Sequence, residues 1–238
     1  VFDRLVKGIG FLMKKNKIDV YDGTGKLTGP NTIAVKLNDG KDATLEGKNI
    51  IIATGARPRP FPGVEFDDKK IISYVPAILA ENAPKSVVII GGGAIGVEFA
   101  YVWANYGVDV TILEMMPHLL PNEEPEVSDV LEKAYKKLGV KFQTGAKVTG
   151  IEKTGDGVRV SVEGGEPLEA EVCLVAINFM PNTEDIGLEA AGVKLTDRKN
   201  VAIDGNMRTN VPHIYAIGDV ATDYRLAHVA SAMGIVAA

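Results

Sequence analysis

Apolar residues recur along this chain with two different periods. From Phe2 to Lys15, Phe2, Leu5, Val6, Ile9, Leu12 and Met13 return every three or four residues, with Asp3, Arg4, Lys7, Lys14 and Lys15 between them. That spacing predicts an amphipathic surface helix. From Ile18 to Glu46 the pattern shortens to β-branched runs, Ile18 to Tyr21 and Thr32 to Leu37, broken by Gly23, Gly25, Gly29-Pro30 and Asp39-Gly40. Such runs predict a small antiparallel meander. Asn49 to Gly55 reads as a buried strand stopped at a glycine, and Arg57, Pro58, Pro60 and Pro62 then mark a linker, placing a domain boundary near residues 56–75.

Alternation of strands and helices follows. Ser86 to Ile90 is an apolar strand that runs into Gly91, Gly92 and Gly93, and a helix from Ala94 to Tyr106 stops at Gly107. A second strand, Asp109 to Leu113, ends in Glu114. A helix over 125–138 carries Val127, Leu131, Ala134 and Leu138 on one face and terminates at Gly139. Val140 to Gln143 predicts a third strand. Val148 to Lys153, Gly157 to Glu163 and Glu166 to Ala170 predict a second meander, and Val172 to Ile177 another buried strand. Pro181 to Gly192 reads as a polar connector, followed by strands over Val201 to Asp204 and His213 to Asp219.

The glycines carry the first chemical signal. Gly91, Gly93 and Gly96 stand at G-x-G-x-x-G spacing between strand and helix, where each meets a separate demand: a tight turn, close approach of a pyrophosphate, and close helix-on-strand packing. Glycine clusters also close ordinary strand-helix turns, so context matters. Glu114 supplies it, because a carboxylate at the tip of the second strand accepts hydrogen bonds from an adenosine ribose and repels a 2′-phosphate. The pattern therefore points to a dinucleotide, and to NAD rather than NADP. Two more strands end in glycine, at Thr54-Gly55 and Ile217-Gly218, with Asp219 placed to accept from ligand hydroxyls or to act as a loop acid. Leu226-Ala227-His228 opens a last helix whose free N–H groups suit partial negative charge.

Composition narrows the class further. Hydrophobic content of 46% with 6% aromatics suits a mixed α/β chain better than a β-sandwich. A net charge of −5 argues against nucleic acid as a partner. No apolar run approaches the ~18 residues of a membrane span and no signal-peptide pattern opens the chain, so no membrane association and a cytoplasmic location are expected. The single cysteine, Cys173, sits in an apolar strand and reads as an inert core thiol. His118, His213 and His228 belong to no catalytic motif, and no metal-ligand cluster is evident.

Taken together, Ile51 to Gly55, Gly91 to Gly96, Ile214 to Asp219 and Leu226-Ala227-His228 resemble, in that order, the FAD- and NAD-dependent disulfide reductases. Gly23 to Gly29, Pro181-Asn182-Thr183 and Met207 to Pro212 extend the likeness over nearly the whole chain. The resemblance implies a Rossmann-like α/β fold with a β-meander, in which an NAD domain (73–195) is inserted into a partial FAD domain (1–72 and 196–238). By position it implies that Gly91, Gly93, Ile95, Gly96 and Glu114 hold NAD, with Glu98, Val148, Ala176 and Asn178 completing the nicotinamide side and adenosine pocket. Glu98 also reads as a first-turn acid complementing the helix dipole. Gly25, Thr54, Gly55, Asp219 and Ala227 would line FAD. The family's first FAD glycine loop, redox cysteine pair and acid–base histidine are not found, so no catalytic residue is assigned and the chain reads as an inactive central piece. Its parent is expected to be a homodimer serving 2-oxoacid dehydrogenase complexes. Other reductases of the same architecture (mercuric reductases, NADH peroxidases, transhydrogenases) and a non-catalytic NAD-binding module remain alternatives. One departure stands out: Asn178-Phe179-Met180 replaces the usual glycine and basic pair, and Asn, which tolerates left-handed angles, is expected to preserve the turn.

Overall fold

The computed structural model describes residues 2–238, without the side chain of Phe2, so that residue's place on the predicted apolar stripe lies outside the described residues. The chain divides into two compact units: unit 1 comprises Val1–Ala56 and Pro181–Ala238, and unit 2 is Arg57–Met180. Unit 1 begins with α1 (Phe2–Lys15), β1 (Gly23–Leu27), β2 (Thr32–Leu37), β3 (Asp42–Glu46) and β4 (Ile50–Ile52), and the chain leaves it within β5 (Ala56–Pro58). Unit 2 follows with β6 (Ile71–Ile72), α2 (Tyr74–Leu79), β7 (Ser86–Ile90), α3 (Ala94–Asn105), β8 (Asp109–Leu113), α4 (Pro125–Leu138) and β9 (Lys141–Gln143). It closes with β10 (Val148–Lys153), β11 (Val158–Val162), β12 (Leu168–Ala170), β13 (Val172–Val175) and β14 (Phe179–Pro181), where the chain returns to β15 (Ile214–Ala216), a 3-10 turn over Gly218–Val220, and α5 (Ala227–Ala237).

Unit 2 is built on a parallel sheet of order β6-β13-β7-β8-β9. Successive strand side chains point to opposite faces. Val87 and Ile89 of β7 therefore pack with Val97, Ala100 and Trp103 of α3 and Tyr135 of α4, while Val88 and Ile90 pack with Ile151, Val158 and Val160 of the β10-β11-β12 meander. Burial on both faces explains why β7 and β13 are apolar without alternation. The helix α4 forms where predicted, with Pro125 at its first turn and Gly139 in the left-handed conformation at its end (φ 86°).

In unit 1, β1, β2 and β3 form an antiparallel meander, and β4 and β15 form a parallel pair. The predicted strand over Ile18 to Tyr21 is absent. The first strand is instead the glycine-rich Gly23–Leu27, whose register lays Gly23 against the Lys36–Leu37 backbone so closely that a Cβ would collide with the Lys36 carbonyl. Val201 to Asp204 yields only an isolated bridge between Val201 and Leu195. The predicted helix over Phe2–Lys15 forms as α1, with Leu5, Val6, Ile9 and Leu12 each at least half exposed.

The unit boundaries fall earlier than residues 72 and 195 at both crossings. Burial decides this. Phe61, Val64 and Phe66 of the proline-rich stretch pack on the unit 2 core, and β6 joins the unit 2 sheet. On the return, the supposedly polar connector buries Leu188, Ala191 and Val193 in the unit 1 core with Ile50, Ile52, Ile214 and Ala216.

Asp67 fixes the proline-rich stretch to the edge of the sheet. Its Oδ1 accepts from the backbone N–H groups of Lys69 (3.1 Å), Lys70 (2.8 Å) and Ile71 (2.9 Å), and its Oδ2 pairs with Lys153 at 3.1 Å. Burial by itself would raise the carboxyl pKa, but the three N–H groups and the ammonium outweigh it and hold it well below the usual carboxylate range. A carboxylate depressed on folding stabilises above its unfolded pKa and loses that contribution as pH falls toward the folded value. Asp67→Asn is thus expected to cost about 1–2 kcal/mol at pH 7, with the difference from the parent narrowing below about pH 4. Thermal melts at pH 7 and pH 3.5 measure this, and an equal gap at both would show that the charge contributes nothing.

Candidate functional site

The carboxyl ends of β13, β7 and β8 lie side by side in the sheet. Onto this edge the chain brings Gly91, Gly93, Ile95 and Gly96 after β7, Glu114 after β8 and Ala176 after β13. Gly91 takes a left-handed angle (φ 108°), and a Cβ there would stand 2.5 Å from the Ala176 carbonyl oxygen, so only glycine makes the turn. A Cβ on Gly96 would collide with the Gly91 carbonyl, which places the first turn of α3 directly on the strand's end. Gly93 differs: its backbone is extended (φ −73°, ψ −175°), and a Cβ would meet nothing within 4 Å. It is the N-cap of α3, and no side chain caps it. The open side of the turn therefore presents uncapped helix N–H groups, the arrangement that receives anions.

Glu114 is only 7% exposed, and both carboxylate oxygens are engaged. Oε2 accepts from Gly92 N–H at 2.6 Å and Oε1 from Met116 N–H at 2.7 Å. A trans peptide sends its N–H and C=O in opposite directions, so capturing Gly92 N–H turns the Gly91 carbonyl the other way, toward Gly96. A carboxylate has about four lone-pair sites, which leaves two for further donors. Val148 is half-buried at the start of β10, two residues beyond Ala146, whose N–H donates to the Glu114 carbonyl at 2.9 Å.

Ile95 is half-buried and Glu98 exposed on the first two turns of α3. Tyr135 donates its hydroxyl to the Val97 carbonyl at 2.5 Å, and burial first, then the negative Glu98, push its pKa up to about 12. Asn178 is exposed and keeps ordinary backbone angles rather than the left-handed ones expected of it. Its own Oδ1 accepts from Phe179 N–H at 2.7 Å, and its carbonyl accepts from Arg59 N–H at 3.0 Å, so the replaced glycine is not required for this path of the backbone.

The remaining predicted residues lie in unit 1. β4 and β15 pair in parallel and Ile217 N–H donates to the Ile52 carbonyl at 3.0 Å, so Thr54-Gly55 and Gly218-Asp219 leave the same end of the pair. Gly55 and Gly218 both take left-handed angles (φ 69°). Asp219 is half-buried, Ala227 is the exposed first residue of α5, and Gly25 lies mid-strand in β1 opposite Val35. Sequence reasoning missed Asn182 as a fastener: it binds the Thr54-Gly55 turn through its N–H to the Gly55 carbonyl (2.9 Å), its Nδ2 to the Thr54 carbonyl (2.9 Å) and its carbonyl, which accepts from Thr54 Oγ1 (2.7 Å). Cys173 is fully buried in β13 and burial raises its pKa to about 12. Among the described residues there is no cluster of His, Cys, Asp and Glu able to hold a metal, and no helix long and apolar enough to cross a membrane.

A family model described as pyridine nucleotide-disulphide oxidoreductase matches residues 1–234. Dihydrolipoyl dehydrogenase of Mycobacterium tuberculosis is 51% identical over 236 residues, which cover 98% of this chain and 51% of that protein. The dihydrolipoyl dehydrogenase of Corynebacterium glutamicum is 48% identical over 245 residues, covering all of this chain and 52% of its own. The solved structure of LpdA from Mycobacterium tuberculosis superposes with a TM-score of 0.90 at 29% identity, over 97% of this chain and 52% of that one. The chain spans about half the length of the curated relatives it matches.

Two expectations follow from the glycines and the thiol. Gly96→Ala gains up to ~1 kcal/mol of helix propensity but forces a Cβ into the Gly91 carbonyl, an overlap costing roughly 1–3 kcal/mol or more, so a net loss should appear in a denaturant midpoint. Gly93→Ala should change the same midpoint by less than about 1 kcal/mol. Cys173 should resist a thiol reagent in the native protein and react fully once unfolded; rapid native labelling, followed by absorbance, would contradict its burial.

Proposed function

The chain belongs to the pyridine nucleotide-disulphide oxidoreductase family, and we propose that unit 2 is an NAD-binding domain within a dihydrolipoyl dehydrogenase. The observation that carries this reading is the turn from Gly91 to Gly96 with the buried Glu114 beside it. The turn offers uncapped N–H groups and an unfilled space at Gly93 for a pyrophosphate. Glu114 retains two acceptor sites for ribose hydroxyls, and because both its oxygens are already tied to backbone N–H groups it cannot swing away from a 2′-phosphate. Val148 would border the adenosine, and Ile95, Glu98, Ala176 and Asn178 the nicotinamide side.

Unit 1 fits the flavin end of FAD. Asp219 would hold the ribityl hydroxyls, the uncapped start of α5 at Ala227 would face the electron-rich pyrimidine, and Thr54, Gly55 and Gly25 would line the remainder. When bound, FAD relays two electrons between a dithiol and the nicotinamide. The parent reaction converts dihydrolipoamide and NAD+ to lipoamide, NADH and a proton. This chain's part is to bind and orient the nucleotides. Its one cysteine cannot form the required disulfide with itself, and burial keeps that thiol protonated at neutral pH. We further propose that the parent enzyme is a homodimer serving 2-oxoacid dehydrogenase complexes in the cytoplasm.

NADH titrated into the folded chain should bind saturably with Kd below about 1 mM, followed by nicotinamide fluorescence. Gly93→Ala should weaken it at least tenfold, about 1.4 kcal/mol, while leaving the fold intact. Glu114→Arg should shift the NADH to NADPH affinity ratio at least tenfold toward NADPH. Absence of saturable binding by a folded parent chain would overturn the reading, and an unchanged ratio would remove Glu114 from the ribose.

A further inference from the structure

Resting on the nucleotide-binding reading of unit 2, we propose that His118, Ser128 and Glu132 are positioning residues for the glycine turn, acting through the backbone of Leu119 and Leu120. The Gly92–Gly93 peptide is held from the loop before α4. Leu120 N–H donates to the Gly92 carbonyl at 2.8 Å. Because the peptide is planar and trans, that bond aims the Gly93 N–H in the opposite direction. Gly93 N–H has no partner among the described residues and borders the open side of the turn. A peptide between two glycines meets little steric resistance to flipping. If it flipped, a carbonyl would replace a donor where a phosphate is to bind. The Leu120 bond is what holds the donor in place.

Leu120 does this from a left-handed conformation (φ 51°) that a bulky apolar residue adopts only under constraint from its surroundings. The constraint comes from α4. Leu119 N–H donates to Glu132 Oε1 at 3.1 Å. His118 Nδ1 lies 3.0 Å from the Leu119 carbonyl oxygen and 3.1 Å from Ser128 Oγ. A carbonyl only accepts, so Nδ1 carries the proton and shares it between the two. Ser128 is fully buried, and so is Leu119, whose Cδ2 stands 2.6 Å from where a Cβ on Gly92 would be. Glu132 of α4 thus holds the 118–119 peptide directly and Ser128 of α4 holds the 119–120 peptide through His118, and that peptide's N–H holds the Gly92 carbonyl. Glu114 fixes the N–H of the same residue from the other side.

The test pairs each disruptive variant with one that restores the hydrogen bond. Glu132→Leu should weaken NADH three- to tenfold, whereas Glu132→Gln, which keeps a carbonyl acceptor for Leu119 N–H, should stay within twofold of the parent. His118→Leu and His118→Asn form a second pair at a half-buried position, since an Asn amide offers a donor close to the place of Nδ1; the expected loss is two- to fourfold, restored in Asn. Both losses should be equal for NADH and NADPH, because the pyrophosphate is common to them, and this separates the brace from Glu114. Thermal melts accompany each titration, and the His118 pair decides the matter if Glu132→Leu does not fold. Folded Leu variants that bind like the parent, or Gln and Asn variants as weak as their Leu partners, overturn the brace. A folded parent that does not bind NADH removes the nucleotide reading and the brace with it.

Discussion

A buried carboxylate must find hydrogen-bond donors or lose its charge, and in this protein Glu114 finds them in the backbone. Its hold on Gly92 N–H joins the end of one strand to the turn following its neighbour. That bond orients the Gly91 carbonyl, the Gly91 carbonyl sets how closely α3 can approach, and only glycine at position 96 accepts the approach. The glycine spacing and the acid are one mechanical unit rather than two motifs that happen to be near each other. The sheet's contribution is to hold β7 and β8 in parallel register from Ser86 and Asp109 to Ile90 and Leu113, so that the two ends coincide.

Rigidity at this edge comes from burial on both faces of the sheet. The five-stranded sheet is covered by helices on one face and by an antiparallel meander on the other, leaving Val87, Ile89 and Val160 with no exposed surface. Close packing on both faces restricts the strand ends to small displacements. The turn itself has almost no side chains with which to pack. It depends on hydrogen bonds to backbone groups from Glu114 and the following loop, and through that loop on α4.

Elements governed by local signals were legible in the sequence. The strand over 86–90, the strand over 109–113 and the helix over 125–138 carry their own periodicity and their own terminators, Gly91, Glu114 and Gly139. What escaped notice depends on distant partners. Ile71–Ile72 is too short to show a period and becomes a strand only because β13 lies beside it. Leu188, Ala191 and Val193 are scattered among polar neighbours, so their burial reflects where the chain returns rather than any pattern of their own. Ile18 to Tyr21 erred in the other direction, with good strand residues finding no partner strand. At the candidate site the shape of the turn was readable because the glycines' lack of side chains and the Glu114 carboxylate build it. Leu119 and Leu120 were not, since it is their N–H groups that act and a leucine reveals nothing of its backbone. At position 178 the backbone takes ordinary angles, so the tolerance of Asn for left-handed ones is not called on, and no sequence feature announces it.

The interrupted layout of unit 1 also dictates an order of events as the protein is made. Unit 2 is one continuous stretch and contains all its own strands, so it can fold as soon as it clears the ribosome. The pairing of β4 with β15 cannot: β15 is encoded beyond the whole of unit 2 and emerges on the order of ten to thirty seconds later at ordinary synthesis rates. Over that interval Ile50 and Ile52, destined for the core, lack the strand that β15 later supplies. The fold of unit 2 comes first, and it shortens the loop that the late strand must close to the span between the two crossings.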